Sequence, residues 1–136
     1  MITAVDTNVL VDVFGADAAF GERSADALRA CATEGRLVAC AIVWAEVASV
    51  FPGTDAAADA LATLGIDYDA MDAPSALTAG TGWRAYRRRG GTRQRLVADF
   101  LIGAHAAGRA DRLLTRDRGF YRAYCKGLEI LDPSDS

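Results

Sequence analysis

Three carboxylates stand almost alone in their stretches of chain, and a fourth closely follows an apolar run. Asp6 is the one charge in the first eleven residues and follows the apolar run ITAV at 2–5. Glu46 is the one charge in the eighteen residues LVACAIVWAEVASVFPGT, 37–54. Asp99 is the sole formal charge between Arg95 and Arg109, and Asp117 comes just after RLLT at 112–115. Three of them have ordinary explanations when taken singly. Asp99 could cap a helix, and Asp6 could accept backbone N–H groups from a helix that follows it. Asp117 could be a turn residue paired with Arg116 or Arg118. Glu46 fits none of these roles. A mid-helix Glu in so apolar a run is expected in the core, where a carboxylate is costly unless it is paired.

The set says more than its members. Four carboxylates brought to one place would repel one another, and some would take up protons. A hard divalent cation removes that conflict. Oxygen-only donors, with no useful His or Cys spacing, point to Mg²⁺ or Mn²⁺ rather than Zn²⁺.

Whether the acids meet depends on the elements that carry them, and these read as alternating strand and helix. ITAV (2–5), RLVAC (36–40), IDYDAM (66–71), RLLT (112–115) and LEIL (128–131) are the strand candidates. Helices are expected over 9–14 and 20–35, the second closed by Gly35, and over about 42–51, stopped by Pro52 and Gly53. Thr54 is expected to cap the next helix, which Gly65 closes. Asp72, with Pro74 in the first turn, should cap a helix running to about Arg89, broken by Gly90 and Gly91. A further helix is expected from about Ala98–Asp99 to Gly108, and a short helix or turn over 119–124. Strands alternating with helices imply one α/β domain, residues 1–136, with a parallel sheet and a flexible tail of a few residues. Ligands of such sheets gather at the carboxyl ends of the strands. Asp6 and Asp117 each follow a strand, the helix of Glu46 starts just after one, and Asp99 begins a helix, so all four can converge at that edge.

Composition narrows the partners. The 136 residues are 51% hydrophobic and 24% charged, enough for a core without staples. No apolar run approaches the roughly 18 residues of a membrane span, and MITAVDTNVLVDVF lacks the basic start of a signal peptide, so a cytoplasmic protein is expected. Cys31, Cys40 and Cys125 have no C-x-x-C spacing and are expected as buried free thiols. The net charge is −3, yet WRAYRRRGGTRQR holds Arg84, Arg87, Arg88, Arg89, Arg93 and Arg95 without one acid. That stretch can take an anion, either RNA phosphates or a partner's acidic groups. Trp83 and Tyr86 could stack on an unpaired base or simply pack inward. His105 lies six residues after Asp99, on another helical face, and is expected to pack rather than join the acids. No P-loop and no G-x-G-x-x-G follows the first strand.

The motifs AVDTNVLVDVF, AEV with Glu46, ADFLIGAHA with Asp99 and LLTRDRGFY with Asp117 resemble the PIN domain, and more narrowly the VapC-type toxins of toxin–antitoxin pairs. The resemblance covers about residues 2–132, with the four acidic motifs in the family's order. It implies an α/β/α sandwich on a parallel sheet of four or five strands. It also implies a Mg²⁺- or Mn²⁺-dependent endoribonuclease, inhibited by a cognate antitoxin and expected to form a homodimer. Asp6, Glu46, Asp99 and Asp117 match the family's catalytic, metal-holding acids. Asn8 and Thr115 match its positioning residues. The resemblance further implies in-line attack by a metal-activated water, leaving a 5′-phosphate and a 3′-hydroxyl. A haloacid-dehalogenase-type phosphohydrolase would want a second acid at position 8, which is Asn. A receiver domain would want a Lys at a strand end, where Lys126 does not fall. The rival of a different class is a PIN-like module that binds RNA or protein without cutting.

Overall fold

The computed structural model describes residues 1–92 and 96–135, Leu96 by its backbone alone. Short apolar runs form the strands β1 (Ile2–Val5), β2 (Arg36–Ala39), β3 (Ile66–Tyr68), β4 (Arg112–Leu114) and β5 (Ile130–Leu131). Three consecutive residues are buried in each of β1, β2 and β4. Both faces of these strands are therefore covered, which is the condition under which parallel sheets occur. The sheet is parallel throughout, in the order β3-β2-β1-β4-β5. Thr3 stands opposite Leu37 on one side and Arg112 on the other.

The helices are α1 (Thr7–Phe14), α2 (Gly21–Glu34), α3 (Ala41–Ala48), α4 (Thr54–Thr63), α5 (Ala73–Arg88), α6 (Leu96–Arg109) and α7 (Arg118–Tyr124). The chain builds β1, β2 and β3 outward in one direction, then crosses back to place β4 and β5 on the other side of β1. With right-handed crossovers this reversal puts α1–α4 on one face and α5–α7 on the other, an α/β/α sandwich. A main core of Val5, Val9, Leu10, Val38, Leu113, Leu114 and Tyr121 fills the centre. A second cluster joins Ala79 of α5 to Phe100 and Ala104 of α6, with Trp83, Tyr86 and Phe120 against it. Among the described residues, no helix is long and apolar enough to cross a membrane.

Several boundaries differ from the sequence expectation, each for a local reason. α1 starts at Thr7 rather than residue 9, because Asp6 is its extended N-cap and accepts from Thr7 N at 2.7 Å. α3 stops at Ala48 rather than near 51, where the Ser49 hydroxyl donates to Glu46 O. Gly53, not Thr54, holds the N-cap of α4, so that helix starts without a side-chain cap. Asp72 caps α5 as expected, accepting from Ser75 N at 2.9 Å. β3 ends at Tyr68, three residues early. Asp69 N still reaches Ala39 O, but its carboxylate turns to His105 Nε2 (2.8 Å) and Arg109 Nε (2.6 Å) on α6. Gly35 is required where it stands, since a Cβ there would lie 1.8 Å from Met1 O.

Candidate active site

The strand order reverses beside β1, with β4 as its neighbour on the returning side, and a cleft of about 340 Å³ opens near their carboxyl ends. This is where doubly wound sheets bind ligands. Asp6, Glu46, Asp99 and Asp117 all line it, together with Thr7, Asn8, Val11, Asp12 and Arg116. Each acid comes from a different element. Asp6 follows β1, Glu46 lies in α3, Asp99 lies in the first turn of α6, and Asp117 precedes α7. Asp99 is thus a residue of the helix and not its N-cap, because α6 begins at Leu96.

Asp6 is the buried hub. Its Oδ2 accepts from the Thr115 hydroxyl at 2.8 Å, the Tyr121 hydroxyl at 3.1 Å and Asn8 Nδ2 at 3.3 Å, while Oδ1 accepts from Thr7 N. Burial pushes the Asp6 carboxyl above its ordinary value; its hydrogen bonds work against that, and the Glu46 charge adds to it. Thr115 is fully buried and serves two acids, since its hydroxyl oxygen also accepts from Asp117 N at 2.9 Å. Asn8 donates to Asp6 and accepts from Arg116 N at 3.1 Å, tying α1 to the chain after β4.

Glu46 is exposed, contrary to the expectation that it enters the core. The core side of α3 is Val43 and Val47, one turn apart, and Glu46 faces the cleft, where the Thr7 hydroxyl donates to it at 2.7 Å. Asp117 is exposed and makes no side-chain cap on α7. The local pairing open to it in the sequence does not form. Arg116 goes to Asp12, and Arg118 goes to Asp135 and Asp132.

Sequence reasoning passed over Tyr121, which looks like an ordinary aromatic in GFYRAY. It is fully buried, and its phenol is pushed far above its usual value, first by burial and then by the Asp6, Asp99 and Asp117 charges. Its hydroxyl therefore keeps its proton and is a permanent donor to Asp6. Thr7, Asp12 and Arg116 were also passed over, for want of any local pattern.

The donor set fits a hard divalent cation: oxygen only, buried at one end and open at the other. Among the described residues, no three His, Cys, Asp or Glu side chains stand as a ready-made cage.

The remaining candidates lie elsewhere. Arg84, Arg87, Arg88 and Arg89 are exposed on and just after the last turns of α5. Arg93 and Arg95 lie outside the described residues. Tyr86 does not stand out as a base-stacking platform; it packs on Phe100 and Tyr124, with ring centroids 6.2 and 5.7 Å away. Trp83 is half-buried against the same cluster, and the Arg87 guanidinium lies over its ring at 4.5 Å. His105 is buried on Asp69, as a packed histidine. Cys31, Cys40 and Cys125 are free thiols, and burial pushes Cys40 up and Cys125 up to about 11.

A parallel five-stranded sandwich with acids from four elements at its switch point is the architecture of PIN domains. The PIN-domain family pattern matches residues 3–125, and the chain belongs to that family. No curated protein sequence matches it. Its fold is similar to that in VapBC2 from Rickettsia felis bound to a DNA fragment from its promoter (TM-score 0.74, 19% identity, 97% of this chain and 98% of that one). It is likewise similar to VapBC-1 from nontypeable Haemophilus influenzae (0.74, 19%, 99% and 100%). FitAcB from Neisseria gonorrhoeae is comparable (0.69, 23%, 100% and 100%).

Proposed function

We propose that this PIN domain is a divalent-metal-dependent endoribonuclease, a VapC-type toxin held in check by a cognate antitoxin. The observation that carries the reading is the cleft itself, where carboxylates from four separate elements face one space. An acidic wall of this kind, with Asp6 buried and held by four donors, has no evident purpose in packing. It is costly to the fold unless a cation is bound.

A bound Mg²⁺ or Mn²⁺ would supply the Lewis acidity that polarises a phosphoryl oxygen and acidifies water. Asp6, Glu46, Asp99 and Asp117 would hold it. Thr115 and Tyr121 fix the Asp6 carboxylate, leaving Oδ1, which has only the Thr7 N–H, as its less engaged oxygen. Thr115 also fixes the backbone from which Asp117 projects. Asn8 holds these two regions in register. The arginines ending α5 follow one turn after Trp83 and lead towards the start of α6, where Asp99 lies; Tyr86 packed on Phe100 joins those two ends. They would offset the repulsion between the acidic cleft and a polyanion. The antitoxin reading draws on the fold's likeness to chains of toxin–antitoxin complexes such as one from Klebsiella pneumoniae.

The test is to incubate the purified chain with total RNA and Mg²⁺ or Mn²⁺, beside EDTA and Asp99→Asn controls, and to map new 5′ ends. Discrete cuts, absent from both controls, are expected. A folded protein that binds RNA under every metal condition yet never cuts would favour the non-cleaving module.

A further inference from the structure

Arg116 lines the acidic cleft in an arrangement that an ordinary ion pair does not explain. Its Nε and Nη2 donate side-on to the two oxygens of Asp12 at 2.6 and 3.0 Å. The Ser24 hydroxyl, from α2, donates to the same Asp12 Oδ2 at 3.0 Å. The guanidinium also lies over the Phe20 ring, 4.1 Å from its centroid. Its own backbone N–H is fixed on Asn8 Oδ1. Head and base of this side chain are both held, so little rotamer freedom remains to be lost on binding.

The pair is lopsided. The Asp12 side chain is 6% exposed, while that of Arg116 is 29% exposed. A guanidinium has five N–H groups, and Asp12 occupies one on Nε and one on Nη2. Among the described residues, the one buried side-chain nitrogen or oxygen without a partner is Trp44 Nε1. Nη1, which no group among the described residues engages, is therefore not sealed off from solvent, and with the second N–H of Nη2 it forms the outer edge of the fork. That edge matches two oxygens of a phosphate.

Resting on the nuclease reading above, we propose that Arg116 is the fixed phosphate anchor of the cleft. It grips a phosphate of the RNA backbone on the wall of the cleft, with Asp12, Ser24 and Phe20 as its mount. Four carboxylates alone would align a nucleic acid poorly, because they repel every phosphate except one bridged by a cation. A preset guanidinium on the same wall gives the strand a register. Asp12 keeps it from folding back across the cleft onto Asp117.

The experiment measures binding of a labelled single-stranded oligoribonucleotide of mixed sequence to the isolated chain, in an Asp99→Asn background with fixed Mg²⁺ and varied NaCl. Arg116, Arg116→Gln and Arg116→Lys are compared, with thermal unfolding run alongside. Losing one phosphate contact should flatten the slope of log K against log salt by about 0.7. Arg116→Gln is expected to show that flattening and to bind roughly tenfold or more weakly. Arg116→Lys should keep the slope and lose several-fold in affinity, because the charge stays but the fork is gone. A residue that only held the fold together would change the unfolding midpoint without changing the slope. Arg116→Gln with the parental slope and affinity would overturn the proposal while leaving the nuclease reading intact. Should Arg116→Gln fail to fold, unchanged affinity in Arg116→Lys would overturn it equally. No RNA binding by the parent would overturn both.

Discussion

Replacing Tyr121 with Phe removes one oxygen from the middle of the protein and leaves the ring in place. The lost group is the donor to Asp6 Oδ2 at 3.1 Å, a long contact for O–H···O. Hydrogen bonds to charged groups contribute about 1.5–3 kcal/mol, and the length puts this one near or just below the lower end, at about 1–1.5 kcal/mol. Asp6 keeps the Thr115 hydroxyl, the Thr7 N–H and the Asn8 amide, so no buried acceptor is orphaned. If the phenol acts by orienting that carboxylate, the loss should appear in cation affinity. It converts to a Kd for Mn²⁺ raised about 5- to 15-fold. The assay is calorimetric Mn²⁺ titration of the purified variant, paired with RNA cleavage across a metal series. The cleavage midpoint should shift to higher metal by the same factor, with the rate at saturating metal close to that of the parent. Unchanged Mn²⁺ affinity together with a lowered unfolding midpoint would refute the reasoning, and Tyr121 would then be packing alone.

Three other outcomes are expected. The Asp6 carboxyl is raised by burial, so its contribution to stability is full at acidic pH and is lost as pH rises through its folded value; the thermal shift produced by Mg²⁺ should therefore grow as pH rises above the ordinary carboxyl range. Asp69 is the opposite case, lowered first by Arg109 and then by His105. Its contribution is present above the unfolded carboxyl value and is lost as pH falls through the folded one. Asp69→Ala also strands a buried His105 nitrogen, and should cost about 2 kcal/mol at neutral pH in urea unfolding, with a much smaller difference from the parent in strong acid. Gly103→Ala would set a Cβ 2.6 Å from Cys125 Sγ and 3.2 Å from the Tyr121 ring; overpacking of about 1–3 kcal/mol is expected in the same assay, and a neutral result would mean that α7 yields easily.

Asp6, Glu46 and Asp99 were legible because each is a lone charge in an apolar setting, and Asp117 because it closely follows an apolar strand. The parallel sheet was legible for a related reason, since its central strands are short apolar runs without alternation, while the edge strand β3 alternates. What stayed hidden depends on distant pairs. Arg116 meets Asp12 across 104 positions and Tyr121 meets Asp6 across 115, and no local window holds both members. The burial expected of Glu46 failed because periodicity in so short and uniformly apolar a helix does not say which side faces the cleft. Of the two roles open to Tyr86, inward packing is the one the fold displays, on Phe100 and Tyr124, and these arrive on other helices.

Thr115 meets Asp6 across 109 positions of chain, and β1 cannot complete its central place in the sheet until β4 exists. A chain emerging from the ribosome therefore carries Asp6 without the Thr115 and Asp117 side of the cleft until that later segment has been made. At about 5–20 residues per second, the interval between making Asp6 and making Asp117 is roughly 5–20 s. For an enzyme that cuts RNA this ordering is protective. On the nuclease reading proposed above, the nascent polypeptide would stay harmless to the message and the ribosome that are producing it, and an inhibitor made in the same place would have those seconds to arrive.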